Sequence, residues 1–219
     1  GTGFYNSGSK IRIRIISRNA NDRFDYAFWK RRISYSVRYR KEILPEQDFR
    51  CCRLVHGESD FIPGLTVDRY EDILSVQTTC LGVEHIKDDI YRALKECMEE
   101  CGVSISGIYE RNDLSLREKE GLPVFKGWYT GFGTVPDSAV TEICENGIKY
   151  LFDVAEGQKT GFFLDQKYNR AAAAKLAPGK NVLDCFTHTG SFGLNCAFAG
   201  ASHVTSVDIE RGTDGVCES

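Results

Sequence analysis

The stretch Asn181 to Glu210, NVLDCFTHTGSFGLNCAFAGASHVTSVDIE, constrains this chain more than any other. It reads as strand, tight turn, helix and strand. Asn181 to Asp184 is short and apolar and ends in a carboxylate. Phe186 to Gly190 is a turn of small and polar residues. From Ser191 to Ala199 the apolar residues fall at helical spacing, and Gly200 stands where a glycine ends a helix in left-handed backbone. His203 to Ile209 is a second apolar strand, with Asp208 at its end.

A βαβ unit of this kind places its first turn at the carboxyl edge of a parallel sheet, where nucleosides bind. Gly190 lets backbone approach a ligand, and Asp208 follows it by 18 residues, near the spacing at which an acidic side chain takes ribose hydroxyls. The turn lacks the G-x-G-x-x-G pattern of a pyrophosphate site, having only Gly190 and Gly193 with Asp184, Phe186 and Thr189 around them. A carboxylate closing the first strand suits a cationic or amino-bearing ligand, which favours S-adenosylmethionine over NAD. A βαβ unit that binds nothing is the alternative from this stretch alone.

Upstream, Gly157 to Gln166 reads GQKTGFFLDQ, followed by Asn169-Arg170 and then VLDCFTHTGSF. With Arg53 to Tyr70, RLVHGESDFIPGLTVDRY, these motifs resemble a family of bacterial RNA methyltransferases. That family comprises class I, S-adenosylmethionine-dependent large-subunit rRNA (cytosine-5) methyltransferases with an N-terminal PUA domain. The resemblance runs roughly from Gly3 to Glu210. It implies an α/β plus α+β chain: residues 1–22 end a PUA-like RNA-binding barrel, 23–48 form a linker helix, 49–155 a central α+β domain, and 156–219 the start of a Rossmann-like methyltransferase sheet. It implies S-adenosylmethionine as cofactor and ribosomal RNA as partner. Asp165, Gln166 and Arg170 match positions near the cofactor, and join Asp184, Phe186, Thr189, Gly190 and Asp208 as cofactor-binding candidates.

Charge points the same way. Lys10 to Arg53 holds 13 Lys and Arg against 5 Asp and Glu, while the remainder holds 15 against 26. A basic segment on an acidic body suggests a polyanion contact at one end. Ile11, Ile13 and Ile15 alternate with Arg12 and Arg14, which predicts a half-buried strand with a cationic outer face. Phe24 to Leu44 predicts an amphipathic helix with Trp29, Ile33, Val37 and Leu44 on one stripe and Lys30, Arg31, Arg38 and Lys41 mostly off it. Arg12, Arg14, Lys30 and Arg31 are the RNA-binding candidates. Arginines beside Trp29, Tyr35 and Tyr39 could hold phosphates and stack on bases; a linker helix packed by its aromatic face, with its charges merely solvated, is the alternative.

With 219 residues, 42% of them hydrophobic, the chain can bury a sizeable core. It has no apolar run of membrane-span length and no signal peptide. Its nine cysteines are scattered without a C-x-x-C pair, which argues against structural zinc and for a reducing cytoplasm. A homodimer is one option for its assembly.

In the middle, RLVHGESD reads as polar and turn-like. IPGLTVDRY and ILSVQTTC read as strands joined at Glu71-Asp72, with Val67 to Val76 as a hairpin. His56, Glu58 and Asp60 form a hydrogen-bonded turn more readily than a metal site. Glu84 to Cys101 is one helix closed by Gly102, with Cys97 and Cys101 as small core residues. Ser106 to Arg111 is a strand. Ile143 to Val154, with Asn146-Gly147 at its centre, is the clearest hairpin. Lys167 to Leu176 is an Ala-rich helix closed by Pro178-Gly179. The middle carries no catalytic constellation.

After Asp208 the tail RGTDGVCES has no apolar period. The resembled family's later motifs, an aspartate-proline strand end and a cysteine that attacks the cytosine ring, do not follow. The expectation is a chain truncated at both ends, with an exposed sheet edge and no catalytic activity of its own. No catalytic residue is assigned, since Cys185 and Cys196 belong to the turn and its helix and Cys217 to the tail. The competing readings are a non-catalytic RNA-binding protein with a structural βαβ unit, an NAD enzyme and a small-molecule methyltransferase.

Overall fold

The computed structural model describes residues 1–157 and 160–208. The chain divides into two compact units, Gly1–Ala139 and Val140–Ser219.

In the first unit, β1 (Thr2–Tyr5) and β2 (Ile13–Ser17) form an antiparallel pair, followed by α1 (Tyr26–Ile43) and the short α2 (Glu46–Phe49). A mixed sheet comes next: β3 (Cys51–His56), β4 (Leu65–Tyr70) and β5 (Ile73–Thr78), then α3 (Leu81–His85) and α4 (Lys87–Glu100), then β6 (Gly107–Asn112), α5 (Ser115–Lys119) and β7 (Phe125–Trp128). The strands lie in the order β3-β4-β5-β6-β7, parallel only between β5 and β6, the pair joined through α3 and α4 as a parallel crossover requires.

Helix α1 starts where Asp25 accepts a hydrogen bond from the Phe28 amide at 3.0 Å, the usual N-cap arrangement. It stops before Pro45, whose ring disfavours helical backbone in the preceding residue. Trp29, Ile33 and Val37 are fully buried along one stripe, and the helix packs against α4. Trp29 takes Phe28 edge-on at 5.0 Å and stacks with Phe4 at 5.9 Å.

Four expectations change here. The β2 alternation is real, but its faces are inverted. Ile11, Ile13 and Ile15 are exposed, whereas Arg14 turns inward to the buried Glu120 at 2.9 Å. Phe4, paired with Arg14 in register, lies against Gly82, where a Cβ would fall 2.1 Å from its ring. A specific buried carboxylate thus outweighed the generic tendency of isoleucine to face inward. Second, the first four residues of the turn-like run RLVHGESD, Arg53 to His56, belong to strand β3, held antiparallel to β4, and only Gly57–Asp60 is a helical turn. Third, the helix over Glu84–Cys101 breaks at Ile86, whose backbone (φ −113°, ψ 11°) separates α3 from α4. Fourth, α5 and β7 were not anticipated. The expected β4–β5 hairpin is present with Val67 opposite Val76. Among the described residues no cluster of ligands could hold a metal; Asp60 instead accepts from the His56 amide at 2.6 Å and pairs with Arg40.

The middle also holds a buried ionic network that its sequence did not announce. Arg117, fully buried, donates to Thr78 Oγ1 at 2.7 Å, Glu84 at 3.0 Å and the Pro123 carbonyl at 2.8 Å. Lys87 bridges Glu84 and Glu110, and the Tyr91 hydroxyl donates to Glu110. Burial pushes the Glu84 carboxyl up, but hydrogen bonds from Thr78, Arg117 and Lys87 outweigh it and hold the group below its ordinary range.

The second unit begins with the hairpin β8 (Val140–Glu145) and β9 (Ile148–Asp153), turning on Asn146 (φ 53°) and Gly147 (φ 83°), the residues a two-residue turn with left-handed backbone demands. Helix α6 (Lys167–Ala174) follows, then β10 (Asn181–Cys185), α7 (Ser191–Phe198) and β11 (His203–Val207), with β10 and β11 parallel. The hairpin, read from sequence as part of the middle domain, groups with this unit instead. Asn195 on α7 donates to the Tyr150 hydroxyl at 2.9 Å, and Asn146 donates to Asn195 at 2.9 Å. Among the described residues no helix is long and apolar enough to cross a membrane.

Candidate cofactor site

The turn between β10 and α7 is tied down at both of its ends. Asp184, on β10, accepts on one oxygen from the Thr187 hydroxyl at 2.6 Å and from the Gly193 amide at 2.9 Å. Asp208, just past β11, accepts from the His188 amide at 2.7 Å. The Thr187 amide reaches the Val207 carbonyl at 3.2 Å. The two carboxylates therefore sit on adjacent parallel strands, at the edge where the turn emerges.

Glycines make this possible for two different reasons. Gly190 has φ +73°, a left-handed conformation that costs other residues, and a Cβ there would meet nothing closer than 3.8 Å, so the space beside it is open. Gly193 is the reverse. A Cβ there would fall 2.9 Å from Ser206 Oγ, 3.0 Å from Val204 and 3.2 Å from Asp184, so its absence lets α7 lie directly on the sheet. Phe186 (φ 59°) points its ring outward, 79% exposed. Thr189 is half-buried within the turn.

The TGFF segment meets this turn through Phe163, whose ring contacts His188 edge-on at 5.3 Å. Arg170 anchors the segment from below. Its guanidinium forks onto Glu145 at 2.5 and 2.7 Å, donates to the Phe163 carbonyl at 2.9 Å and lies over the Phe162 ring at 4.8 Å. Arg170 and Glu145 are both buried, so what Arg170 does here is position the motif rather than present a charge. Asp165 is exposed and accepts from the Gln166 amide group at 2.9 Å; Gln166 accepts in turn from Asn169 at 3.0 Å. The sequence missed Thr187, the packing role of Gly193, and Glu145. A hydroxyl three residues after a strand-end aspartate, and a small residue in the first turn of the following helix, are signals that could have revealed the first two. The last is a long-range partner with no local mark.

Taken together, the turn offers two carboxylates, an exposed aromatic ring and an open glycine edge. That donor set suits a ligand with an ammonium group, vicinal hydroxyls and a flat base. A family model described as S-adenosylmethionine-dependent methyltransferase matches residues 72–216. The chain belongs to that family. Its cofactor is S-adenosylmethionine, and the donor set fits it.

Relatives of this family member extend the picture. The chain is 39% identical over 209 residues to the ribosomal RNA large subunit methyltransferase I of Shewanella amazonensis, covering 95% of this chain and 51% of that protein. The protein of the same name from Shewanella denitrificans is 40% identical over the same span. Among solved structures, a proposed S-adenosylmethionine-dependent methyltransferase from Streptococcus mutans superposes with TM-score 0.77 at 26% identity, covering 96% of this chain and 52% of that one. A proposed methyltransferase complexed with SAH gives 0.74 at 25% identity, over 91% of this chain and 48% of that one. The chain thus spans about half the length of the curated relatives it matches.

The polyanion candidates fare unevenly. Arg14 is consumed by Glu120. Lys30 is paired with Glu96 at 2.7 Å and Glu100 at 3.0 Å, which hold its ammonium above the ordinary lysine range. Arg12 and Arg31 remain exposed. The cysteines are poor nucleophiles where their environment is resolved: burial pushes the Cys97 thiol up to about 11, and burial followed by the Asp184 charge raises that of Cys196.

Proposed function

We propose that the chain serves S-adenosylmethionine-dependent methylation of large-subunit ribosomal RNA, with cytosine C5 as the target. The similarity to two ribosomal RNA large subunit methyltransferases, across 95% of this chain, carries the reading. The bound cofactor supplies an electrophilic methyl group on a sulfonium. Asp184 keeps one oxygen for the cofactor's ammonium group while its other oxygen fixes Thr187 and Gly193. Asp208 takes the ribose hydroxyls while bracing the His188 amide, and Phe186 covers the base. Thr189 and Gly190 shape the wall, and Asp165 and Gln166 sit on the segment brought to the turn by Phe163. Residues 1–22 are the end of an RNA-contacting PUA-like domain in this proposal.

Methylating C5 requires a nucleophile at C6 and a flipped base. Of the two cysteines at the turn and its helix, Cys185 is exposed and Cys196 is buried with its thiol raised by burial and then by Asp184, and neither is assigned that role. That observation favours one other reading, an RNA-binding protein with a structural βαβ unit. Nucleoside mass spectrometry of large-subunit rRNA from cells with and without the encoding gene tests the proposal. Loss of a 5-methylcytidine on deletion is expected. An unchanged set of methylated nucleosides overturns the substrate assignment.

A further inference from the structure

The exposed face of α1 carries an ordered aromatic and cationic stripe that the methyltransferase site does not use. Arg31, Tyr35 and Tyr39 follow each other at four-residue intervals, with Arg38 beside them, and all four are exposed. Tyr35 is 61% and Tyr39 56% exposed, although the opposite face of the same helix is fully buried. Residues four apart on a helix share a face about 6 Å apart along the axis. Tyr35 and Tyr39 therefore share one exposed face of α1.

A third ring lies along the same helix. Phe61 is 64% exposed, in left-handed backbone with φ 59°, a conformation uncommon for a bulky residue. Arg32 lies 5.4 Å from the Phe61 ring centroid and 5.1 Å from that of Phe28. Next to it, Arg40 grips Asp60 with two hydrogen bonds and lies 5.4 Å from the Tyr39 ring. The Asp60-Phe61 corner is thereby fastened to α1 beside Tyr39.

These rings are not an unclaimed core. Guanidinium groups lie by two of them, Arg40 at 5.4 Å from Tyr39 and Arg32 at 5.4 Å from Phe61, and Lys10 to Arg53 carries 13 basic against 5 acidic residues. Arg31 makes no ion pair among the described residues, unlike Arg14 and Lys30. Arg38 has only a 3.7 Å contact with Glu100. Bases of an unpaired strand stack on aromatic faces whatever their sequence, and cations beside the rings take the phosphates. An apolar ligand would leave these arginines uncompensated, whereas a polyanion with flat bases satisfies both groups.

We propose that Tyr35, Tyr39 and Phe61, flanked by Arg31 and Arg38, form a docking surface for single-stranded RNA. The inference rests on the reading of the chain as an RNA methyltransferase. It places the contact on the Arg31–Tyr35–Tyr39 face of α1 rather than on Arg14 and Lys30, whose charges are already paired.

The test is fluorescence anisotropy of the full chain with a labelled single-stranded RNA of about a dozen nucleotides and with a duplex of the same sequence. Calorimetric titration of S-adenosylmethionine is run on every variant. The expected result is single-strand binding that weakens with salt and falls at least about fivefold for each of Tyr35→Ala and Tyr39→Ala. Tyr35→Phe should keep the affinity, since stacking needs the ring and not the hydroxyl. Lys30→Gln should change it little, although Lys30 is as close in sequence. Unchanged binding in the Tyr35→Ala, Tyr39→Ala double variant overturns the surface. So does equal binding of duplex and single strand, which would mean charge alone. Absence of RNA binding with cofactor binding intact sinks the surface but leaves the methyltransferase reading standing; absence of cofactor binding with RNA binding intact does the opposite.

Discussion

Asp208 accepts a hydrogen bond from the His188 amide at 2.7 Å, so the end of one parallel strand fixes the turn that leaves its neighbour. The same carboxylate is then available to a ligand only in an orientation set by that bond. Asp184 plays the matching part on β10 through Thr187 and Gly193. Each acid has a structural duty, the proposed function gives each a binding duty as well, and substitutions can separate the two.

Asp208→Ala should loosen the turn and weaken S-adenosylmethionine binding by roughly tenfold or more, the loss typical of hydrogen bonds to a charged group at about 1.5–3 kcal/mol. Thr187→Val should cost less in affinity, because the Gly193 amide still holds Asp184. Calorimetric titration of both variants reads the difference.

Arg170→Met should destabilise the second unit by about 3–5 kcal/mol, since it strands a buried carboxylate. The double change Arg170→Met, Glu145→Leu should recover most of that loss, as buried pairs are often replaceable by apolar side chains. Urea denaturation monitored by fluorescence measures both. A direct cofactor role for Arg170 would instead show as lost affinity in the well-folded double variant.

Gly193→Ala should cost about 1–3 kcal/mol, the usual penalty of overpacking. Its methyl group would meet Ser206, Val204 and Asp184 at 2.9 to 3.2 Å. Thermal denaturation checks this. Gly179→Ala makes a useful contrast: it meets nothing within 4 Å, and its only penalty is the positive φ of 69°.

The first unit should lose stability in acid through Glu84. Its folded carboxyl lies below the ordinary range, so its contribution is fully present above about pH 4.3, the unfolded value. It is lost as pH falls through the lower folded value. Glu84→Gln should flatten that part of a urea-midpoint profile against pH while lowering stability at neutral pH.

What the sequence revealed follows from how local each signal is. The β10–turn–α7–β11 unit was legible because strand, turn and helix end each announce themselves within a few residues, down to Gly190 and Gly200 in left-handed backbone. The Asn146-Gly147 hairpin was legible for the same reason. The orientation of β2 was not: alternation fixes that two faces differ, but which one turns inward depended on Glu120, more than a hundred residues away in sequence. Lys30 and Arg14 looked like free charges because their partners come from α4 and from the residue after α5. The Arg117 network stayed hidden likewise, its members scattered from Thr78 to Arg117 with no shared spacing. Asp184 and Asp208 were found from their strand-end positions, whereas the hydrogen bonds that orient them needed the fold.

The most direct test of the central claim is calorimetric titration of S-adenosylmethionine into the chain and into its Asp184→Asn variant, with NAD as a control ligand. The account predicts saturable one-to-one binding of S-adenosylmethionine, no binding of NAD, and at least about tenfold weaker S-adenosylmethionine binding in the variant. Equal affinity in the two proteins, or NAD binding in place of S-adenosylmethionine, would contradict it.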